Sequence, residues 1–253
     1  MGTESSLAWK LAQVIARVLT TLLFDLKVDG KQHVPRRGGA LLVSNHQSYL
    51  DPVLLGVRLD RPLNYIAKSE LFENRVGSWL LRSIFNAFPV RQGAGDVAAV
   101  RETIARLREG HLLNIYPEGA RTTDGAIGPM LRGVGLIVHR AGVPVVPVVI
   151  VGAYDAWPIH RRYPRARPVR VTYGPPLNLN GLDADEIVNV IDQTLRAMFE
   201  AAGKRDGSTR WRSDGDGLTH ENQPAVVRSD GREKAGVRRV AHAELATGLL
   251  NEL

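Results

Sequence analysis

"ALLVSNHQSYLD", residues 40–51, is the stretch on which the fold turns. Ala40 to Ser44 is a short apolar run that reads as a buried strand, and Asp51 opens a helix expected over 51–59. Between them lies a polar loop with a single histidine, His46, and the aspartate follows it five positions on. Strand, loop and helix in that order form the unit of an α/β sheet, and ligands of such sheets gather beyond the carboxyl ends of the strands. His46 therefore stands where chemistry usually occurs. Two readings of the loop compete. Ser48 and Asp51 match a Ser-x-x-Asp capping pattern, with Ser48 as N-cap and Asp51 at the third helical position, and His46 is then an ordinary polar residue. Alternatively, the strand-to-helix turn brings His46 and Asp51 together. The carboxylate then fixes the imidazole tautomer, and the other ring nitrogen takes a proton from a hydroxyl. Taken alone, the stretch leaves both readings open.

The same alternation continues along the chain. Strands are expected at 63–67, 87–90, 112–116, 145–151 and 169–173, and helices at 77–83, 96–109, 131–141 and 183–202. Asp96 is a suitable N-cap, and Gly110, Gly142 and Gly203 are suitable helix terminators. The two prolines of "GVPVVPVVI" (142–150) point to an edge strand or an unpaired stretch. The expected fold is a layered α/β domain, with a mixed, largely parallel sheet flanked by helices.

At 253 residues and 44% apolar composition, the chain can bury a sizeable core. It contains no cysteine, which excludes disulfides, thiolate metal sites and a cysteine nucleophile. The net charge of +7 favours phosphate-bearing partners. "LAWKLAQVIARVLTTLLFDLKV" (7–28) has helical apolar spacing, but Lys10 and Arg17 leave it too short an uncharged run for a membrane span. It reads as an amphipathic helix lying on a membrane, or as a helix packed on the domain's own core. No cleavable leader is expected, since no basic segment precedes the apolar run. The expected organisation is an amphipathic membrane-associating helix over 1–29, a catalytic domain over 30–203, and a polar, disordered tail over 204–253 with a short terminal helix.

Further segments carry chemistry. "NIYPEGART" (114–122) follows a strand and places Glu118, Gly119 and Arg121 in a tight turn. Glycine there permits close backbone approach, and an arginine there can grip a phosphate through two bonds. An ordinary turn with a surface ion pair is the alternative. "NAFPVRQG" (86–93) puts Arg91 after a strand end. "HRRYPRARPVR" (160–170) holds five arginines and no acid.

Taken together these segments resemble the glycerolipid acyltransferases of the 1-acyl-glycerol-3-phosphate acyltransferase type. "NHQSYLD" is similar to their Asn-His-x-x-x-x-Asp block, "FPVRQG" to the arginine-bearing second block, "YPEGART" to the Phe-Pro-Glu-Gly-Thr-Arg block and "VPVVPV" to the fourth, in the same order. "YGPPL" (173–177) is similar to a late Gly-x-Pro-Leu element, so the likeness spans roughly 30–200. Tyr116 stands for phenylalanine, Ala120 for threonine and Asn86 for a common glycine. An acid that often precedes the second-block arginine is missing.

The resemblance implies a general base at His46, oriented by Asp51, and acceptor binding by Arg91, Glu118, Gly119 and Arg121. The residues suit Glu118 better to organising the arginines or a backbone turn. The implied reaction moves a fatty acyl group from acyl-CoA or an acyl carrier protein to the free hydroxyl of 1-acyl-glycerol-3-phosphate, giving phosphatidic acid. No metal or redox cofactor is implied, and the expected partners are a lysophospholipid, the thioester donor and an anionic membrane surface. The expected location is the cytoplasmic face of the cell membrane, peripheral or monotopic. Another acceptor (glycerol-3-phosphate, a different lysophospholipid or a lyso-aminolipid) is the alternative within the class, and a catalytically idle lipid-binding protein the alternative outside it. No nucleic-acid partner is expected, because only Tyr163 lies within the arginine cluster and no recognised module is present.

Overall fold

A computed structural model describes residues 7–83, 86–90 and 97–205. Its strands are β1 (Lys27–Asp29), β2 (Ala40–Ser44), β3 (Leu63–Lys68), β4 (Phe88–Val90), β5 (Leu112–Ile115), β6 (Val145–Val151) and β7 (Arg170–Tyr173). Its α-helices are α1 (Leu7–Phe24), α2 (Asp51–Gly56), α3 (Arg75–Ser83), α4 (Val97–Arg108), α5 (Gly133–Ala141), α6 (Ala153–Ala156) and α7 (Ala184–Arg205). The strands form one seven-stranded sheet in the order β1-β7-β6-β2-β5-β3-β4. Every neighbouring pair is parallel except β6 with β7. The mixed, mainly parallel sheet is thus as the alternation of segments predicts.

Side chains alternate across the sheet and feed two cores. Leu42, Leu112, Val146, Val148 and Ile150 face Phe24 of α1, Leu54 and Leu55 of α2, and α6. Leu41, Val43, Leu113, Val145 and Val149 face α4, α5 and α7. Both faces are covered, which is why the central strands are continuously apolar. Close packing of α5 on α7 depends on Gly135, where a Cβ would stand 2.0 Å from the carbonyl oxygen of Ala184.

Three expectations need correction. Helix α1 stops at Phe24, and residues 27–29 form a strand paired with Arg170, Val171 and Thr172, so a domain boundary at 29 would cut the sheet. Helix α7 continues through Gly203 to Arg205, because a glycine in the last turn weakens a helix without ending it. The proline-bearing strand β6 is interior, lying between β7 and β2. The carbonyl of Pro147 accepts the Gly174 N–H at 2.8 Å, so the edge of Pro147 that lacks an N–H faces the β7 side. The β6–β7 ladder runs only from the Val148–Tyr173 pair to Val151–Arg170, and the missing donor falls just past its end. Pro144 precedes the strand and contributes only its carbonyl, to Leu41 N at 2.9 Å. The expected N-cap Asp96 and most of the 204–253 tail lie outside the described residues.

Helix α1 is docked by a polar stripe. Gln13 donates to the carbonyls of Gly56 and Leu59, and Arg17 to that of Val57 at 2.7 Å. Thr20 and Phe24 on the same side are buried. The apolar stripe of Leu11, Val14, Ile15, Val18, Leu19, Leu22 and Leu23 points outward, with Leu22 77% exposed. Among the described residues, no helix is long and apolar enough to cross a membrane.

Candidate active site

His46 sits just beyond the carboxyl end of β2, and Asp51 is the first residue of α2. The turn between them brings His46 Nδ1 within 2.7 Å of Asp51 Oδ2. The same oxygen accepts the backbone N–H of Gln47 at 2.6 Å and of Ser48 at 2.8 Å. Both readings of the loop therefore hold in part, and through one atom. Asp51 reaches back to the Ser48 N–H as a capping residue would, yet the helix starts at Asp51 and its N-cap, Leu50, makes no side-chain capping bond. Ser48 Oγ instead accepts the Leu50 N–H and donates to the carbonyl of Trp157 at 2.8 Å.

The two backbone N–H groups on Asp51 Oδ2 fix the histidine tautomer. Asp51 Oδ2 is an acceptor, so Nδ1 of His46 carries the hydrogen, and in the neutral imidazole Nε2 presents its lone pair. The Asp51 side chain is fully buried, whereas that of His46 is 18% exposed, so the pair opens outward on the Nε2 side. One face of the imidazole lies on the Tyr116 ring, with centroids 3.8 Å apart and planes inclined by 12°.

Glu118 builds the loop that carries the pair. Its Oε1 accepts the His46 N–H and its Oε2 the Gly128 N–H, both at 2.8 Å. Thr122 N–H returns to the His46 carbonyl at 2.8 Å, closing the 116–122 turn onto the His46 loop. Gly119 makes that turn possible at φ 70°, and its N–H bonds to the Tyr116 carbonyl at 3.0 Å. Asn45 anchors the other flank through paired bonds to the backbone N–H and carbonyl of Ile150. Gln47 reaches the Gly125 carbonyl at 2.7 Å. The Glu118 oxygens are thus occupied by backbone donors, which fits an organising part better than contact with an acceptor.

Arg121 lies against an aromatic platform. Its guanidinium carbon is 3.5 Å above the Tyr49 ring, and Tyr49 leans on Trp157. Its Nη1 is buried without a hydrogen-bond partner. A half-buried guanidinium with an unsatisfied donor, on the same loop system as His46, suits an anion. Arg91 lies outside the described residues. The arginine-rich stretch leaves the same edge of the sheet: 162–168 is exposed, while Arg170 is paired with Asp29. Tyr49, Trp157 and the Tyr116 stack have no signal in the linear sequence, because their partners arrive from distant loops.

Burial pushes the Glu118 carboxyl above its ordinary range, against the opposing pull of its two backbone donors. A folded-state value above the unfolded one means that the native protein holds this proton more tightly. The associated stability is full at low pH and is lost as pH rises through the native value. Glu118→Gln loses one of the two buried acceptors at every pH, but its stability relative to wild type is expected to improve from pH 4 to 7, as the wild-type carboxyl gives up its proton. Acyl-transfer activity should fall about tenfold, since an amide can accept only one of the two N–H groups and the His46 loop shifts. Denaturant midpoints at the two pH values and kcat/KM check this; a variant losing stability as pH rises would contradict the burial argument.

An acyltransferase family model matches residues 25–151, half of the chain, including His46, Asp51 and the 116–122 turn. The chain is 28% identical over 199 residues to the 1-acyl-sn-glycerol-3-phosphate acyltransferase of Bacillus subtilis, covering 78% of this chain and 94% of that one. It is 31% identical over 205 residues to the human 1-acyl-sn-glycerol-3-phosphate acyltransferase alpha, covering 78% and 70%. The crystal structure of the 1-acyl-sn-glycerophosphate acyltransferase of Thermotoga maritima superposes with a TM-score of 0.66 at 26% identity, over 76% of this chain and 79% of that one.

Proposed function

The chain belongs to the acyltransferase family, and on that premise we propose that it acylates the free hydroxyl of 1-acyl-glycerol-3-phosphate from an acyl thioester, giving phosphatidic acid. The observation that carries this reading is the 2.7 Å bond from His46 to the buried Asp51, with Nε2 left to receive a proton. As the acceptor oxygen attacks the thioester carbonyl, its proton passes to Nε2, and Asp51 balances the imidazolium that forms. The tetrahedral adduct then collapses, the C–S bond breaks, and the thiolate takes the proton back from His46. Nucleophile and leaving group are both served by one base, so no acyl-enzyme is required, in keeping with a chain that lacks cysteine.

Arg121 on its aromatic platform supplies charge for the acceptor phosphate, and the family resemblance gives Arg91 the same part. Glu118 and Gly119 shape the loop that holds His46 and Arg121 in one frame. The exposed Arg162, Arg165 and Arg167 suit the phosphates of acyl-CoA or an acyl carrier protein, or anionic head groups. The test is an acyl-transfer assay with acyl-CoA or acyl carrier protein and a panel of acceptors: 1-acyl-glycerol-3-phosphate, glycerol-3-phosphate and neutral lysolipids. Turnover confined to acceptors without a phosphate would keep the chemistry and overturn the substrate.

The outward apolar stripe of α1 supports docking on the cytoplasmic leaflet, where the acceptor lies and the donor is soluble. Deleting the helix would take the buried Thr20 and Phe24 out of the protein and expose the core they cover, so substitution is the cleaner test. Ile15→Glu, Val18→Glu and Leu22→Glu combined should weaken binding to anionic vesicles by about 100-fold or more, from lost apolar burial and added repulsion. The fold should be retained, because Gln13, Arg17, Thr20 and Phe24 still dock the helix. Unchanged sedimentation with vesicles would remove the helix from this role.

A further inference from the structure

The imidazole of His46 is held on two sides by groups of different kinds. In its plane stands the Asp51 carboxylate; against its face lies the Tyr116 ring, at 3.8 Å and nearly parallel. Tyr116 is the residue after β5, and β5 lies beside β2 in the parallel sheet, so two strand ends fix the stack. Its hydroxyl is buried and has no hydrogen-bond partner. Burial, with the nearby Asp51 and buried tyrosines adding to it, pushes that hydroxyl well above its ordinary value, so the ring remains a neutral phenol.

An aromatic face carries negative quadrupolar charge and attracts a cation within about 6 Å of its centroid. A neutral imidazole gains little from this, and an imidazolium gains much more. The interaction therefore strengthens at the moment when His46 takes the acceptor proton, which is the condition for accelerating a step rather than merely binding. We propose that Tyr116 is a positioning residue that holds the plane of His46 and stabilises its charged form through the π face. The inference rests on His46 as the general base and adds a second source of charge stabilisation, perpendicular to that of Asp51.

The test holds packing constant while the quadrupole is drained. Tyr116→Phe is the reference, and phenylalanines with one, three and five ring fluorines are incorporated at position 116. Log kcat should fall stepwise with fluorination, by roughly 3- to 30-fold in total, while the acceptor KM and thermal midpoint stay constant. Tyr116→Leu should show a drop of similar size. It should also move the His46 ring-proton NMR signals, because the ring current of the stacked neighbour is lost; the fluorinated rings should leave them shielded. A residue that only fills space would give a flat series. An inactive His46→Ala beside a flat fluorinated series overturns this inference alone. Full activity in His46→Ala overturns the base assignment and this inference with it.

Discussion

His46→Ala is expected to lower kcat for acyl transfer by about 10²–10⁴-fold, the range a positioned general base contributes. The acceptor KM should change little, since the imidazole takes part through a proton that moves only in the transition state and the phosphate is held elsewhere. The fold should survive the substitution. The backbone of residue 46 keeps its bonds to Glu118 and Thr122, and Asp51 Oδ2 keeps the N–H groups of Gln47 and Ser48. The residual rate would come from holding two substrates together and from electrostatic stabilisation of the tetrahedral oxyanion, neither of which needs the imidazole. A single-turnover measurement with saturating acceptor and thioester separates the chemical step from product release. If that step runs at the wild-type rate, the base lies elsewhere. Intact lipid binding with no transfer above background in either wild type or variant would favour a lipid-binding protein without this chemistry.

The alternation of strands and helices is legible because each central strand is a short apolar run closed by glycine, proline or a polar loop. Residues 27–29 carry no such mark. Lys27, Val28 and Asp29 become a strand only because Arg170, Val171 and Thr172 lie alongside, and Arg170 pairs with Asp29. Strand β6 misleads in the opposite direction. Pro147 within it and Pro144 before it signal an edge, but the cost of Pro147 depends on which neighbour its nitrogen faces and where that neighbour's ladder ends. The site divides in the same way. His46 and Asp51 are five residues apart, so a turn can be foreseen to join them. The bonds from Asn45 to Ile150 and from Glu118 to His46, and the seat of Arg121 on Tyr49, join loops that the sheet alone brings together. Glu118 shows the limit most clearly. The residues already suit it to organising a backbone turn, but the two donors that its oxygens serve, the His46 and Gly128 N–H groups, come from separate loops.

Asp51→Asn should lower kcat by about 10²–10³-fold while leaving the loop folded. Asp51 Oδ2 receives three hydrogens, and Oδ1 is buried without a partner. An asparagine places its carbonyl at the Oδ2 position, because its amide hydrogens there would meet the Gln47 and Ser48 N–H groups head on. The tautomer and plane of His46 are thereby preserved, and what is lost is the negative charge beside the nascent imidazolium. At an effective dielectric constant near 20, an opposite charge at about 4 Å is worth about 4 kcal/mol, which the retained neutral hydrogen bond reduces to the stated range. Asp51→Ala is a different experiment. It strips the acceptor from two buried N–H groups at about 1–3 kcal/mol each, so it should lower the unfolding free energy as well as the rate. The double variant His46→Ala with Asp51→Asn decides how the pair works. If Asp51 acts only through His46, the double variant is no slower than His46→Ala alone, because effects within one catalytic unit do not add. A further 10²-fold loss in the double variant would show that the Asp51 charge acts on the substrates directly, and the orienting part assigned to it would have to be given up.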